Sequence, residues 1–247
     1  MSVLAPEPSK ILGEEDEHRC VPEHAFHCFD TLYCALTSHQ PVEPQFAEWK
    51  CPLFVTWNTR SRPGRPLRLR GCIGTFVPVP LAEGLAKYAL ISAFRDDRFR
   101  KIELGELESL ECSVSLLTDF EDADSYLDWT VGRHGISITF PHPDLLPVAP
   151  SPSSAPSPLG STPARTPKRS SGAPKHTFSA CYLPHVAPEQ GWDRLETIDS
   201  AIRKAGWGGR ISEDLRRAVR VVRYQSRVVD VSWKEYAQWR TASGGAM

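Results

Sequence analysis

The stretch "LRLRGCIGTF", residues 67–76, holds the residue types and spacing best suited to chemistry. Read as a strand, its side chains alternate between two faces. Leu67, Leu69, Gly71, Ile73 and Thr75 then point to the core, and Arg68, Arg70, Cys72, Gly74 and Phe76 point away. Arg70 and Cys72 share a face, about 6–7 Å apart at Cα. A guanidinium beside a thiol favours the thiolate, the nucleophilic form. Gly71 and Gly74 leave room beside the sulfur for a ligand or for another backbone. A plainer reading stands next to this one: cysteine is a small hydrophobe that is often buried, and Arg70 pairs with an acid elsewhere.

Other residues offer partners for such a thiol. His134 sits in "GRHG" (132–135), where a histidine can deprotonate or orient a thiol, or close its own turn through a ring nitrogen. In "DDRF" (96–99), Asp97 and Arg98 bind a ligand or form an ion pair at the end of the preceding helix. His24 and Cys28 have the i, i+4 spacing of metal ligands, but a second ligand pair is missing and no metal is assigned. The basic run "RRAVRVVRYQSR" (216–227) reads as a solvated face.

The elements that must position these residues are legible from periodicity. "PEHAFHCFDTLYCALTSH" (22–39) reads as a helix opened by Pro22, with Phe26, Phe29, Leu32, Tyr33 and Leu36 on one face. "CPLFVTW" (51–57) is a strand that forms a hairpin with 67–76. A helix follows at 81–96 and a strand at 111–120. Residues 127–140 read as two short strands around the Gly-Arg-His-Gly turn. After residue 175, "TFSACYL" reads as a strand, 191–207 as a helix ending at Gly206, and 212–219 as a helix capped by Ser212. A strand at 219–231 and a closing helix at 232–240 complete the chain. Strands and helices mix without regular βα alternation, so the class is α+β.

Composition bounds the rest. The 247 residues carry a net charge of −1, which gives no general drive toward nucleic acid or anionic lipid. No apolar run is long enough to span a membrane. Seven cysteines scattered through a chain of this size fit reduced thiols in the cytoplasm or nucleus. Residues 1–20, which include Cys20, read as a disordered tail, and 241–247 as a short C-terminal one. The Pro/Ser/Ala-rich segment 141–175 reads as a disordered insertion between two strands of one domain, with an interdomain linker as the alternative.

Taken together, "LRGCIGTF" (69–76), "CFDTLYC" (28–34), "PLFVTW" (52–57), "SAFRDDRF" (92–99), "CSVSLLTDFEDADSYLDWTVGRHGI" (112–136), "YLPHVAPEQGWDRLETIDSAIRKAGW" (182–207) and "RYQS" (223–226) resemble, in order, the blocks of the AMMECR1 domain family. The resemblance covers about residues 22–240, less the insertion. It implies one α+β domain over 21–240 with a larger and a smaller part and a groove lined by the signature. The family's recurrent polar residues fall here on Arg70, Cys72, Asp97, Arg98, His134, Gln190, Trp192 and Asp193; His185 departs from the family's acid or amide and is left out. The family's biochemical activity is unsettled. Relatives are fused to, or encoded beside, Memo-type and radical-SAM proteins, which makes a Memo-type protein a candidate partner.

Two expectations follow. In one, Arg70, Gly71, Gly74, Asp97, Arg98 and Gln190 line a groove for an anionic small molecule or peptide, with Cys72 as nucleophile or covalent carrier and His134 as its base or orienter. In the other, the protein is a non-catalytic regulatory or nucleic-acid-associated interaction module. Neither calls for a cofactor or a metal.

Overall fold

The protein is described here by a computed structural model covering residues 19–60, 66–142 and 177–246. Most of the expected N-terminal tail and residues 143–175 of the expected insertion lie outside the described residues. The chain divides into two compact units, Met1–Thr118 with Ser226–Met247, and Asp119–Gln225.

The first unit opens with helix α1 (Pro22–Thr37). Its apolar spacing buries Ala25, Cys28, Phe29, Leu32 and Tyr33. The N-cap, Val21, has no side-chain acceptor to offer the first turn, and the His24 ring makes the reciprocal bond by accepting Val21's own N–H at 3.2 Å. Strands β1 (Lys50–Thr59) and β2 (Arg68–Pro80) form the expected antiparallel hairpin. Helix α2 (Leu81–Phe94) follows β2 directly after Pro80, which has no side chain to cap it. The Glu48 carboxylate does so from a distance, accepting the N–H groups of Leu81 and Ala82. A 3-10 turn, Leu104–Ser109, then leads into strand β3 (Leu110–Asp122).

Alternation on β1 decides the core of this unit. Cys51, Leu53, Val55 and Trp57 are buried on one face, and Cys112, Val114 and Leu116 on β3 share that face. Phe29 and Leu32 from α1, Leu81 and Leu85 from α2 and Tyr236 from the C-terminal helix α6 (Trp233–Ala242) close over them. Trp57, wholly buried, donates its indole N–H to the Ala89 carbonyl at 3.0 Å, so its polar atom is satisfied.

The second unit contains strands β4 (Gly135–Pro141) and β5 (Thr177–Tyr182), paired antiparallel from Ile136↔Tyr182 to Pro141↔Thr177. Strand β6 (Arg220–Ser232) pairs with β4. Helices α3 (Val186–Gln190), α4 (Arg194–Lys204) and α5 (Glu213–Arg217) supply the rest. Trp129, Ile136, Ile138, Phe140, Ile198 and Ile202 lie in its core. The helix expected at 191–207 is α4, which starts only at Arg194 after its Asp193 cap, and an unexpected short helix, α3, precedes it and ends at Gly191 in the left-handed region (φ 68°). The first of two strands expected over 127–140 does not form. Residues 127–134 instead make successive turns, with the Trp129 indole N–H donated to the Tyr126 carbonyl. The strand order is β2-β1-β3-β6-β4-β5, with β2 terminal.

The α1 cap has a consequence for acid stability. The His24 ring is completely buried between Phe46 and Trp49, and its Nε2 has no hydrogen-bond partner among the described residues. Burial, with His27 nearby, lowers its pKa from 6.5 to about 4. The unfolded chain therefore binds the proton that the folded chain refuses, and stability falls as pH drops from about 6.5 toward about 4. His24→Phe removes this linkage. We expect urea unfolding at pH 7 and pH 4.5 to show the wild type losing about 2–3 kcal/mol more than His24→Phe on acidification. Equal losses would mean that the ring titrates normally.

Candidate functional site

Strand β2 pairs with β1 along one side only. Val55↔Ile73 and Trp57↔Gly71 set Gly71 and Ile73 on the core face, as expected from alternation. Phe54↔Gly74 and Thr56↔Cys72 set the thiol on the opposite face. At Trp57/Asn58 the register shifts, so that Asn58 faces Leu69 and Arg70 has no partner on β1. This β-bulge moves Leu69 onto the face it shares with Asn58 and Thr56, where it is 42% exposed. The expectation of a core Leu69 is thus corrected by one extra residue in the strand.

The bulge also re-aims Arg70. Its Nε and Nη2 donate to Glu106 Oε2 (2.8 Å) and Oε1 (2.9 Å), a two-pronged pair. Nη1 donates to the Arg100 carbonyl at 2.6 Å, and Nη2 also reaches the Lys101 carbonyl at 3.1 Å. The Glu106 carboxyl is held below its usual range, chiefly by Arg70. All three guanidinium nitrogens are engaged, so Arg70 fastens the 100–106 loop to β2. This is the plainer of the two roles that the sequence allowed it.

The cation that acts at Cys72 is Arg98, through an acid the sequence reading passed over. Asp96, with its side chain 2% exposed, accepts the Cys72 N–H at Oδ2 (2.9 Å). The same carboxylate accepts Arg98 Nη2 (2.7 Å), Nε (2.9 Å) and its backbone N–H (3.3 Å). Arg98 Nη2 in turn donates to the Cys72 carbonyl at 3.2 Å. Both backbone groups of Cys72 on the side away from β1 are thus met by one ion pair. Arg98 holds the Asp96 carboxyl below its ordinary range against the opposing effect of burial. Asp96 holds the guanidinium above its own, and the Cys72 side chain acts in the same direction. Asp97, which the sequence reading paired with Arg98, is exposed; its neighbour at the helix end faces the strand instead. Cys72 itself is half-buried, and Thr56 Oγ1 donates to its sulfur at 3.0 Å.

The two glycines fit close packing. A Cβ on Gly71 would run into the Ser92 carbonyl at the end of α2, so the glycine lets the helix lie directly on the strand. A Cβ on Gly74 would run into the Leu53 carbonyl and the Phe54 ring. The side-chain space at Gly74, which the sequence reading gave to a ligand, is filled by that ring.

The remaining candidates lie in the second unit. His134 accepts the Thr130 N–H at Nδ1 (3.0 Å), while its own N–H returns to the Thr130 carbonyl (2.9 Å). It locks its turn, with its pKa lowered by burial and then by Arg133 and Arg223. Asp193 accepts the Glu196 N–H at 2.8 Å as the cap of α4, Trp192 packs edge-on against Tyr182, and Gln190 ends α3, exposed. Arg223 joins Glu121 and Asp128.

Among the thiols, Cys20 is not the tail residue expected. It packs on the first core, donates toward the Val114 carbonyl, and is pushed up to about 12 by burial and by Cys28 and Cys51. Burial also raises Cys34, Cys51 and Cys112. Among the described residues no group of three or more His, Cys, Asp or Glu side chains could hold a metal ion, and no helix is long and apolar enough to cross a membrane. Thr56, Asp96 and Glu106 escaped the sequence reading. The acidic doublet before Arg98 was the one local signal, since Thr56 and Glu106 lie 16 and 36 residues from their partners.

Comparison with known proteins bears on the same segments. A family profile described as AMMECR1 matches residues 25–153 and 169–229. An uncharacterized protein of Arabidopsis thaliana is 42% identical over 225 residues, 91% of either chain. An uncharacterized protein of Schizosaccharomyces pombe is 36% identical, over 87% of this chain and 94% of its own. The crystal structure of an uncharacterized protein from Pyrococcus horikoshii superposes with a TM-score of 0.58 at 24% identity, covering 84% of this chain and 89% of that one. That likeness shows the α+β fold.

The geometry separates two neighbouring substitutions. Gly71→Ala must displace the end of α2, and we expect it to cost about 2–3 kcal/mol, the scale of an overpacked site. Leu69→Ala, at an exposed bulge flank, should stay within about 0.5 kcal/mol of wild type in denaturant unfolding. The reverse order would show that the strand is not bulged at Arg70.

Proposed function

The chain belongs to the AMMECR1 family, and we propose that its signature strand carries a binding site for an anionic small molecule or peptide, with the Cys72 thiol at its centre. The reading uses residues of the first unit alone. It rests on Arg98. Two of that guanidinium's nitrogens are occupied by Asp96 and the Cys72 carbonyl, yet the side chain is 53% exposed. Nη1 meets no acceptor among the described residues. A cation held in one orientation by a buried carboxylate loses little freedom when an anion docks on its open side.

In this reading Arg98 binds the anion and favours the thiolate of Cys72. Thr56 donates to the sulfur. Asp96 and Arg70 are positioning residues, the first orienting Arg98 and the second fixing the loop that follows it. Cys72 serves as nucleophile or covalent carrier. If the thiol proves inert, a non-catalytic anion-binding module is what remains.

The test uses two alkylating reagents that differ in charge. Cys72 should react with anionic iodoacetate faster, relative to neutral iodoacetamide, than Cys181, the half-buried thiol of the second unit. The advantage should be about tenfold, the ratio given by about 1.4 kcal/mol of attraction. Arg98→Met should abolish it, while in the wild type peptide mapping should find Cys72 labelled without denaturant. A Cys72 that labels only after unfolding would overturn the thiol role, and a reagent preference equal to that of Cys181 would overturn the anion site.

A further inference from the structure

The open side of β2 continues past Cys72. In an antiparallel pair, the N–H and C=O of one residue point to the same side, and alternate residues share that side. The Cys72 groups point away from β1, to Asp96 and Arg98. Thr56↔Cys72, Val55↔Ile73 and Phe54↔Gly74 are consecutive partners, so the Gly74 N–H and C=O point away from β1 as well. Among the described residues nothing bonds to them. The opening is bounded at both ends. The Asp96–Arg98 pair closes it at Cys72, and Pro78 and Pro80 lack the N–H needed to extend a ladder at the other end.

The surroundings specify an occupant. Val77 is 68% exposed on the strand, and Phe54 and Phe76 pack edge-to-face, with centroids 5.5 Å apart. Arg68, Arg95, Arg98, Arg100 and Lys101 are exposed on β2 and the segment after α2, against Asp97 and Glu103 as that segment's exposed acids. We propose that this edge takes the free C-terminal tail of a partner protein, added to β2 as a short antiparallel strand with its terminal carboxylate on Arg98. Direction follows from charge: a tail whose carboxylate ends at the Cys72 end must run opposite to β2. Length follows from the prolines, which leave room for about three to four residues at strand rise. Backbone pairing at Gly74 gives affinity, and the carboxylate gives register. The proposal rests on the reading of Arg98 as an anion site and adds the peptide to it.

Anisotropy of fluorescein-Gly-Val-Asp-Val with a free carboxylate, titrated with the full chain, should give binding at least about tenfold tighter than its carboxamide. Arg98→Gln should erase that preference and Arg98→Lys should keep part of it. At saturation, the Gly74 amide should exchange with solvent at least about tenfold more slowly than in the free protein. Absence of binding, equal affinity for acid and amide, or an acid preference without Gly74 protection would each overturn strand addition. A chain that sediments as a dimer with Gly74 already protected would assign the edge to a second copy and overturn it too. Failure here with the iodoacetate preference intact sinks the peptide alone; loss of both sinks the anion site.

Discussion

A strand at the end of a sheet carries N–H and C=O groups that no neighbouring strand meets, and at Cys72 an ion pair takes the neighbour's place. The Asp96 carboxylate accepts the N–H, and the Arg98 guanidinium donates to the C=O. Neither group could do this alone. A carboxylate 2% exposed needs a cation to offset its lost hydration, and a buried charge that loses its partner costs about 3–5 kcal/mol. The pair therefore does three things at once: it satisfies the sheet edge at Cys72, keeps Asp96 ionised, and holds Arg98 on the Cys72 carbonyl. Further pairing at Cys72 itself is blocked, which is one way an exposed edge is kept from aggregating.

The bulge at Arg70 is the second constraint. Regular alternation would have left Arg70 on the face of Cys72, the arrangement that makes "RGC" look like an activated thiol. One unpaired residue sends Arg70 to Glu106 and the 100–101 carbonyls instead, and that fixes the start of the segment in which Glu106 sits. Gly71 then brings α2 onto the strand at Ser92, and Asp96 follows from the end of the same helix. The signature is thus a packing device as well as a chemical one. Bulge, glycine and helix end together set where the Asp96–Arg98 pair can reach.

How much of this the sequence reveals divides along the range of the interactions. Elements with strong periodicity are legible: α1 from Phe26, Phe29, Leu32 and Tyr33, and the β1–β2 hairpin from its apolar runs. Caps are legible where the side chain is local, as at Ser212 and Ser232, whose hydroxyls accept from Leu215 and Glu235. They are not legible where the acceptor is distant, as Glu48 is from α2. A bulge leaves no periodic mark of its own, so the faces of Leu69 and Arg70 differ from those that simple alternation gives. The partner of Arg98 is Asp96, one residue before the expected Asp97, because two adjacent aspartates look alike until one faces a strand. His134 carried two readings, and the hydrogen bond from Thr130 shows it doing structural work in its turn.

That last point separates motif residues that hold the fold from those with capacity left over. Arg70 has spent all three guanidinium nitrogens on Glu106 and two carbonyls. Asp193 is spent on capping α4, and the ring of His134 spends Nδ1 on its turn. The side-chain space at Gly71 and Gly74 is taken by Ser92 and Phe54. Arg98 differs, because its Nε and Nη2 are fixed while its side chain stays 53% exposed and Nη1 meets no acceptor among the described residues. A donor held in one orientation with one bond still unmade has already met much of the entropic cost of recognition. Arg98 bonds at Cys72, two residues along β2 from a sheet edge still open at Gly74, and the same geometry that pins the strand leaves it with a hydrogen bond still to make.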